Sequence, residues 1–428
     1  MQVMKWSVIA LAVAAGTSQM AVASQQSEST GFVEGSSLNI LNRNFYMNRD
    51  FRNDRQQFDE DTGAAFPRRS YGEEWAHGFI GTFESGFTQG TVGVGVDAIG
   101  LLGVKLDTGR GRSEVIGALP YDSDGRARDD YSEFGAALKL RVSNTVLKFG
   151  DQFTALPVFA TDDSRLLPEV AEGFLLTSNE IAGLELNAGH FTAINAQNQT
   201  FHDSLGLKKA DFIGGTYAFS DALSTSLYYS DVEDYFRKYY GNVNYSMPLS
   251  DAQALAFDFN IYDTKSKGSE EAGELDNIAW SLSAAYSIDA HTFTVVHQRV
   301  TGDGDYAYGV DGGGTVFLGN SVQRSDFNAE GEKSWQARYD LDMASFGVPG
   351  LSFMTRYVRG TDANVATTNN GKEWERNIEA RYVVQSGAAK DLSFRVRQAT
   401  YRSSDGVYYG SPSIDEVRVI VSYPLSIL

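Results

Sequence analysis

The C-terminal stretch from Asp391 to Leu428 constrains this chain more than any other. It reads DLSFRVRQATYR, then a polar loop, then DEVRVIVSYPLSIL. Leu392, Phe394 and Val396 alternate with Ser393, Arg395 and Arg397, while Val417, Val419, Val421 and Tyr423 share one face and Arg418 lies on the other. A period of two marks a strand, because successive side chains leave opposite faces of the pleat. The polar face here carries guanidinium groups with few acids beside them, and the other face is as apolar as one in contact with lipid. A sheet that is apolar outside and charged inside is inverted relative to a soluble sandwich. That inversion belongs to a transmembrane β-barrel around a watery lumen.

The N-terminus has one early cation, Lys5, an apolar run from Val8 to Ala15 and the small-residue site Ala21-Val22-Ala23. Residues 1–23 read as a signal peptide cleaved after Ala23, and 24–428 as one domain, since no Pro/Ser linker divides it. Beyond the signal segment no apolar run approaches the roughly 18 residues a helical span needs. An integral membrane protein of this sequence is therefore a barrel, the one other structure that satisfies every backbone group in lipid. The chain has no Cys, which excludes a disulfide scaffold and thiolate metal sites. Its formal net charge of −19 argues against nucleic acid as a partner. Acidic loops on an outer-membrane surface would instead meet divalent cations and lipopolysaccharide.

Alternation recurs from end to end. Leu255, Phe257, Phe259 and Ile261 oppose Asp258 and Asn260; Trp335, Ala337, Tyr339 and Leu341 oppose Gln336, Arg338 and Asp340. Trp280 and Tyr286 fall toward opposite ends of one segment, where aromatic girdles lie. Eighteen such segments are predicted, beginning near residues 38, 72, 91, 131, 145, 172, 184, 211, 223, 237, 253, 276, 291, 332, 350, 373, 391 and 415. Every second connection is a tight turn, as at Ser143-Asn144-Thr145. The others are mostly long and polar, at 50–71, 108–130, 151–171, 192–210, 301–331 and 402–414. The fold class read from this is all-β: an antiparallel transmembrane barrel with short periplasmic turns and long extracellular loops, some folded into the lumen. Seven of eight prolines fall in predicted loops or turns, with Pro424, inside the last strand, as the exception.

Closure sets the last strand beside the first, where Arg43 and Arg49 share a phase. The strand before the terminal pair adds Arg381. Four neighbouring strands thus place Arg43, Arg49, Arg381, Arg395, Arg397 and Arg418 on one inner wall, with Lys139, Arg141 and Lys148 near the Ser143 turn. Guanidinium groups replace part of a carboxylate's hydration with charge-assisted, bidentate hydrogen bonds. Several weak sites in series pass an anion without trapping it. The structural alternative is that Glu379 and Glu416 neutralise these arginines, which then only brace the wall.

Selection also needs a constriction, for which two loops are candidates. The first carries Asp162-Asp163-Ser164-Arg165 before an apolar Leu166-Leu167-Pro168 tip that is ill suited to solvent. In the second, Asp303, Asp305, Asp311, Tyr306 and Tyr308 are expected to face the arginine wall and create a transverse field, and glycines 312–314 read as a floppy surface loop. The Gly/Asp run lacks the ligand order of a calcium-binding EF-hand, and the five histidines are dispersed, so neither a metal site nor a cofactor is expected. No nucleophile elbow, P-loop or dinucleotide fingerprint occurs, and the chain does not read as an enzyme.

The segments LNILNRNFYMNRDF, LKLRVSNTVLKFGDQ, DDSRLLP, GEKSWQARYDLDMASFGVPGLSF, YVVQSGAAKDLSFRVRQ and SYPLSIL resemble the OprD-type substrate-specific porins, in particular their OprE-like, carboxylate-preferring branch. The resemblance implies an 18-stranded single-chain barrel in a Gram-negative outer membrane that takes up small carboxylates or amino acids. It places the family's basic ladder on the six arginines and its inward loops on Asp162–Pro168 and Asp303–Ser321. A selective channel for small anionic or zwitterionic carboxylates, monomeric or loosely trimeric, is the resulting expectation. Its rival is a general diffusion porin whose arginines merely line a wide pore.

Overall fold

Each alternating segment becomes a strand that bonds to its sequence neighbours on both sides. The computed structural model describes residues 24–52, 71–109, 112–113, 115–200, 202–404, 407 and 413–428. The signal-peptide reading at 1–23 lies outside the described residues, as do most of loop 50–71 and part of loop 402–414. The first six barrel strands are β1 Ser37–Phe51, β2 Tyr71–Glu84, β3 Val92–Asp107, β4 Asp130–Val142, β5 Thr145–Gln152 and β6 Val170–Ile181. The next six are β7 Leu184–Asn195, β8 Ala210–Ser220, β9 Leu223–Val232, β10 Phe236–Ser250, β11 Gln253–Ser266 and β12 Asp276–Ile288. The last six are β13 His291–Asp303, β14 Lys333–Asp342, β15 Leu351–Val365, β16 Thr368–Val383, β17 Ser393–Ser403 and β18 Ser413–Ser426. All 18 form one antiparallel sheet, and β1 pairs with β18 from Asn39↔Ser426 to Phe51↔Ile414. That seam closes the cylinder and leaves no free edge.

Only one strand start departs from the sequence reading by more than two residues. It is β16, which begins at Thr368 because β15 and β16 pair out to Val365↔Thr368 across a two-residue turn. Among the described residues two prolines sit in strands. Pro248, read as a turn residue, pairs with Ala254 at the register shift before the last β10–β11 pair, Ser250↔Gln253. Pro424 lies past Ser422, the last β18 residue that β17 pairs with, so it has a strand neighbour only in β1.

The outer face is apolar, with Val92, Val94, Phe134, Leu138, Ile213, Val295, Phe394 and Val396 all exposed. Apolar side chains turned outward on every wall are what lipid contact requires. Placing a cation there, as in Val396→Lys, is expected to cost about 2–4 kcal/mol near the middle of the span. Urea titration of the protein folded in vesicles reads this as an earlier midpoint. An unchanged midpoint would put Val396 outside the hydrocarbon.

The inner face is not purely polar. Phe45 and Met47 of β1, Ile80 of β2 and Leu101 of β3 point inward and are buried, packed with Leu166 and Leu167. A second cluster joins Phe159, Phe191, Phe212, Tyr240, Tyr262 and Tyr306. Loops entering the lumen therefore build two cores inside the barrel, and the passage is what they leave free.

Candidate functional site

The connection 153–169 enters the lumen as a two-rung hairpin, Leu156↔Phe159 and Ala155↔Ala160, followed by the turn at Asp162. There the Asp162 carboxylate accepts from the backbone N–H of Ser164 at 2.8 Å and from its hydroxyl at 2.6 Å. The connection 304–332 packs across it. The Gly314 N–H donates to the Ala160 carbonyl at 3.0 Å, and a Cβ on Gly312, whose φ is +97°, would overlap that same carbonyl. The glycine cluster is thus a packed seam between two loops, not the floppy surface loop its composition suggests. Lys238 of β10 and Asp311 anchor the seam by an ion pair of 2.7 Å with both side chains fully buried.

Glu169 ties the loops together from the other side. One of its oxygens accepts from the N–H groups of Asp162 at 2.8 Å and Gly313 at 3.0 Å. Burial nonetheless pushes this carboxyl up to about 7, outweighing the two donors that favour the anion. Between the ordinary carboxylate range and that value the docked loops hold a proton that undocked loops release. Docking is therefore tighter at low pH and weakens as pH rises through about 7. Protease nicking of 304–332 is expected to increase between pH 5.5 and 8, and Glu169→Gln is expected to flatten the profile. A flat profile in the unmodified protein would remove Glu169 as the titrating group.

The six arginines fall into two sets. Arg43, Arg49 and Arg418 are nearly buried, with side chains 10%, 6% and 3% exposed. Arg43 forks onto Asp163 at 2.6 and 2.9 Å and donates to the Arg165 carbonyl at 2.9 Å. Arg49 donates twice to Glu416, at 2.9 and 2.8 Å, and Arg418 donates to the other oxygen of Glu416 at 2.6 Å. Arg418 also reaches the carbonyls of Ser164 and Gln323, one in each inward loop. These three hold the loops against the seam between first and last strands.

The other three are more exposed, to different degrees. Arg381 is exposed and opposes Arg395 across the β16–β17 ladder. Arg395 is 40% exposed and forks onto Glu379 at 2.8 and 2.8 Å. Arg397 is 18% exposed and lies 3.2 Å from the same carboxylate, though its Nε–H is not aligned to donate to it. One acid thus stands between two guanidinium groups, and a third guanidinium follows toward the periplasm.

The comparisons agree with this architecture. The family described as outer membrane porin, OprD family, matches residues 30–427. Porin D of Pseudomonas aeruginosa is 50% identical over 100% of both chains. The chain belongs to the OprD family. Two solved OprD-type barrels from the same organism superpose along nearly all of it. OccK9 (OpdG) gives a TM-score of 0.85 at 37% identity over 93% of this chain and 100% of that one. OpdK, solved with vanillate, gives 0.81 at 35% identity over 92% of this chain and 100% of that one. As an OprD-family porin the protein is a substrate-specific channel of the Gram-negative outer membrane, surrounded by its lipid, and not an enzyme.

In this OprD-family channel the remaining sequence-predicted groups are placed differently from expectation. Lys139 and Lys148 both pair with Asp97 at 2.6 Å. Arg141 lies over the Phe87 ring and donates to Gln26 at 2.9 Å, so the N-terminal segment covers it. The acidic and phenolic groups of the second loop do not form a face toward the arginines. Asp303 is exposed at the outer end of β13, and Asp305 accepts from the Glu330 N–H at 2.7 Å within the loop. Tyr306 is buried and donates to the Thr315 carbonyl at 2.6 Å, Tyr308 donates to Asp326, and Asp311 is held by Lys238. Their chemistry is spent on the loop's own fold.

Other residues extend the basic wall. Arg338 of β14 and Arg356 of β15 are cross-strand neighbours on the lumenal face, bonded to Asp340 at 2.7 Å and Asn377 at 2.6 Å. Arg338 was visible in the alternation opposite Trp335. Arg356 was hidden because the next lumenal residue of its strand, Val358, is apolar and buried. Arg165 and Arg324 come from the two loops and lie close enough to feel the charge of Arg49. Three guanidinium groups, those of Arg49, Arg165 and Arg418, therefore surround Glu416.

Proposed function

We propose that this porin takes up small anionic or zwitterionic carboxylates passively along the wall formed by β14–β18. The observation that carries the reading is the set of partly exposed guanidinium groups on β16 and β17, where Glu379 stands between Arg395 and Arg397. An entering carboxylate can exchange for Glu379 on either arginine, so each site is weak by construction. Arg381 then offers the next site on the way to the periplasm. Sites of this kind in series conduct instead of trapping. The inward loops pack apolar side chains against β1–β4 and β6–β13, which leaves the basic wall as the polar route. The likeness to OpdK, solved with vanillate, itself a carboxylate, supports the same substrate class.

Liposome uptake with matched pairs tests this. Each carboxylate is compared with its own primary amide, of nearly equal size and without the charge. The acids are expected to enter several-fold faster than their amides. Equal rates would favour the general diffusion reading.

A further inference from the structure

The outer surface carries a feature that solute passage does not use. Arg299 lies in the outer third of β13, and Arg359 and Arg376 lie about midway along β15 and β16; all three point away from the lumen and are exposed. They are interleaved with aromatics in the ladder. Trp335 opposes Arg359, Arg359 opposes Trp374, and Tyr357 opposes Arg376. Tyr357 and Trp374 stack at 5.7 Å, and Trp335 is 58% exposed. Among the described residues none of the three arginines pairs with a carboxylate; Arg376 reaches only the Thr400 hydroxyl, at 3.4 Å. Elsewhere on the rim the outward cations have acids beside them, as in Lys209–Asp211, Lys265–Asp276 and Lys267–Asp231.

We infer that this basic and aromatic patch is a binding site for the phosphate groups of a glycolipid of the outer leaflet. A guanidinium on the lipid face is tolerated near the interface and costly at the midplane, so three of them at one level fix that level at the headgroups. The aromatic side chains between them are those that sit at a membrane interface. Adjacent strands lie roughly 4.8 Å apart and the register adds a two-residue stagger at each step, so Arg299 and Arg359 are about 12 Å from each other and Arg376 is about 8 Å from Arg359. That spread suits two phosphates on one sugar headgroup, each able to take a bidentate donor. The patch lacks its own counter-charge, and the leaflet at its level supplies one.

Native mass spectrometry of the full-length barrel, released from detergent with purified lipid A, reads occupancy directly. Retention of lipid A is expected, with at least fivefold less for dephosphorylated lipid A and for phosphatidylethanolamine. The triple variant R299S/R359S/R376S is expected to lose lipid A by a similar factor while keeping its conductance. A control that removes equal charge from paired rim lysines, K209S/K265S/K267S, is expected to retain it. Equal retention by the arginine variant, equal loss in the lysine control, or dimer and trimer peaks that vanish with the arginine variant would each overturn the assignment, the last in favour of a contact between copies of this chain. If the triple variant fails to fold, R359S alone, flanked by both tryptophans, carries the same expectation at smaller size.

Discussion

Replacing Arg395 and Arg397 together with glutamine is expected to lower the flux of a small carboxylate about tenfold and to move the channel's ion preference toward cations. A factor of ten corresponds to about 1.4 kcal/mol, within reach of one or two charge-assisted hydrogen bonds in a partly watered lumen. The direction follows from Glu379, which both arginines now face. Without them its charge is uncompensated in the passage and repels an entering anion. Glu379→Gln should act in the opposite sense, because it frees both guanidinium groups for solute. The reversal potential across a salt gradient in a planar bilayer reads both changes on one scale. If the two variants move it in the same direction, or neither moves it, the basic wall does not select.

Removing the carboxylate of Glu416 is expected to damage the protein most. It is fully buried, accepts from Arg49 and Arg418, and takes a further bond from Gln323 of the second inward loop at 3.0 Å. Glu416→Leu would leave buried guanidinium groups without their counter-charge, a loss on the order of 3–5 kcal/mol. Both inward loops would lose their common anchor, since Arg418 also holds Ser164 and Gln323. A lower temperature for the gel-mobility shift from folded to unfolded barrel is one readout. A larger, noisier single-channel conductance with little discrimination between an acid and its amide is the other. Should the variant not fold, Gln323→Ala cuts only the loop's bond and is expected to raise noise at an unchanged unfolding temperature. A quiet channel of normal size in both would show that other contacts seat the loops.

The barrel was legible because lipid imposes one rule on every strand, and alternation reports that rule locally. Strand starts followed from it, as did the closing pair of β1 and β18. The inside obeys no such local rule. Phe45 and Met47 interrupt the polar face of β1, and only the arrival of Leu166 and Leu167 from 120 residues away explains them. The same loop turned Arg43 from an open cation into a brace, through an Asp163 that no spacing links to it. Asp311 and Tyr306 were legible as polar groups of an inward loop but not as its internal supports. Their burial depends on Lys238 and Tyr262, each on another strand. Phase tells which face a side chain takes, and nothing in phase tells what will be folded against it.

The fastening at Glu416 joins residues 367 positions apart, Arg49 in the first strand and Glu416 in the last. Until the final strand has entered the membrane and met the first, Arg49 lacks its acid and the inward loops lack their bonds to Glu416 and Arg418. Contacts so distant along the chain form late. Sealing the cylinder and narrowing its bore are accordingly one event, and a barrel caught before it would leak.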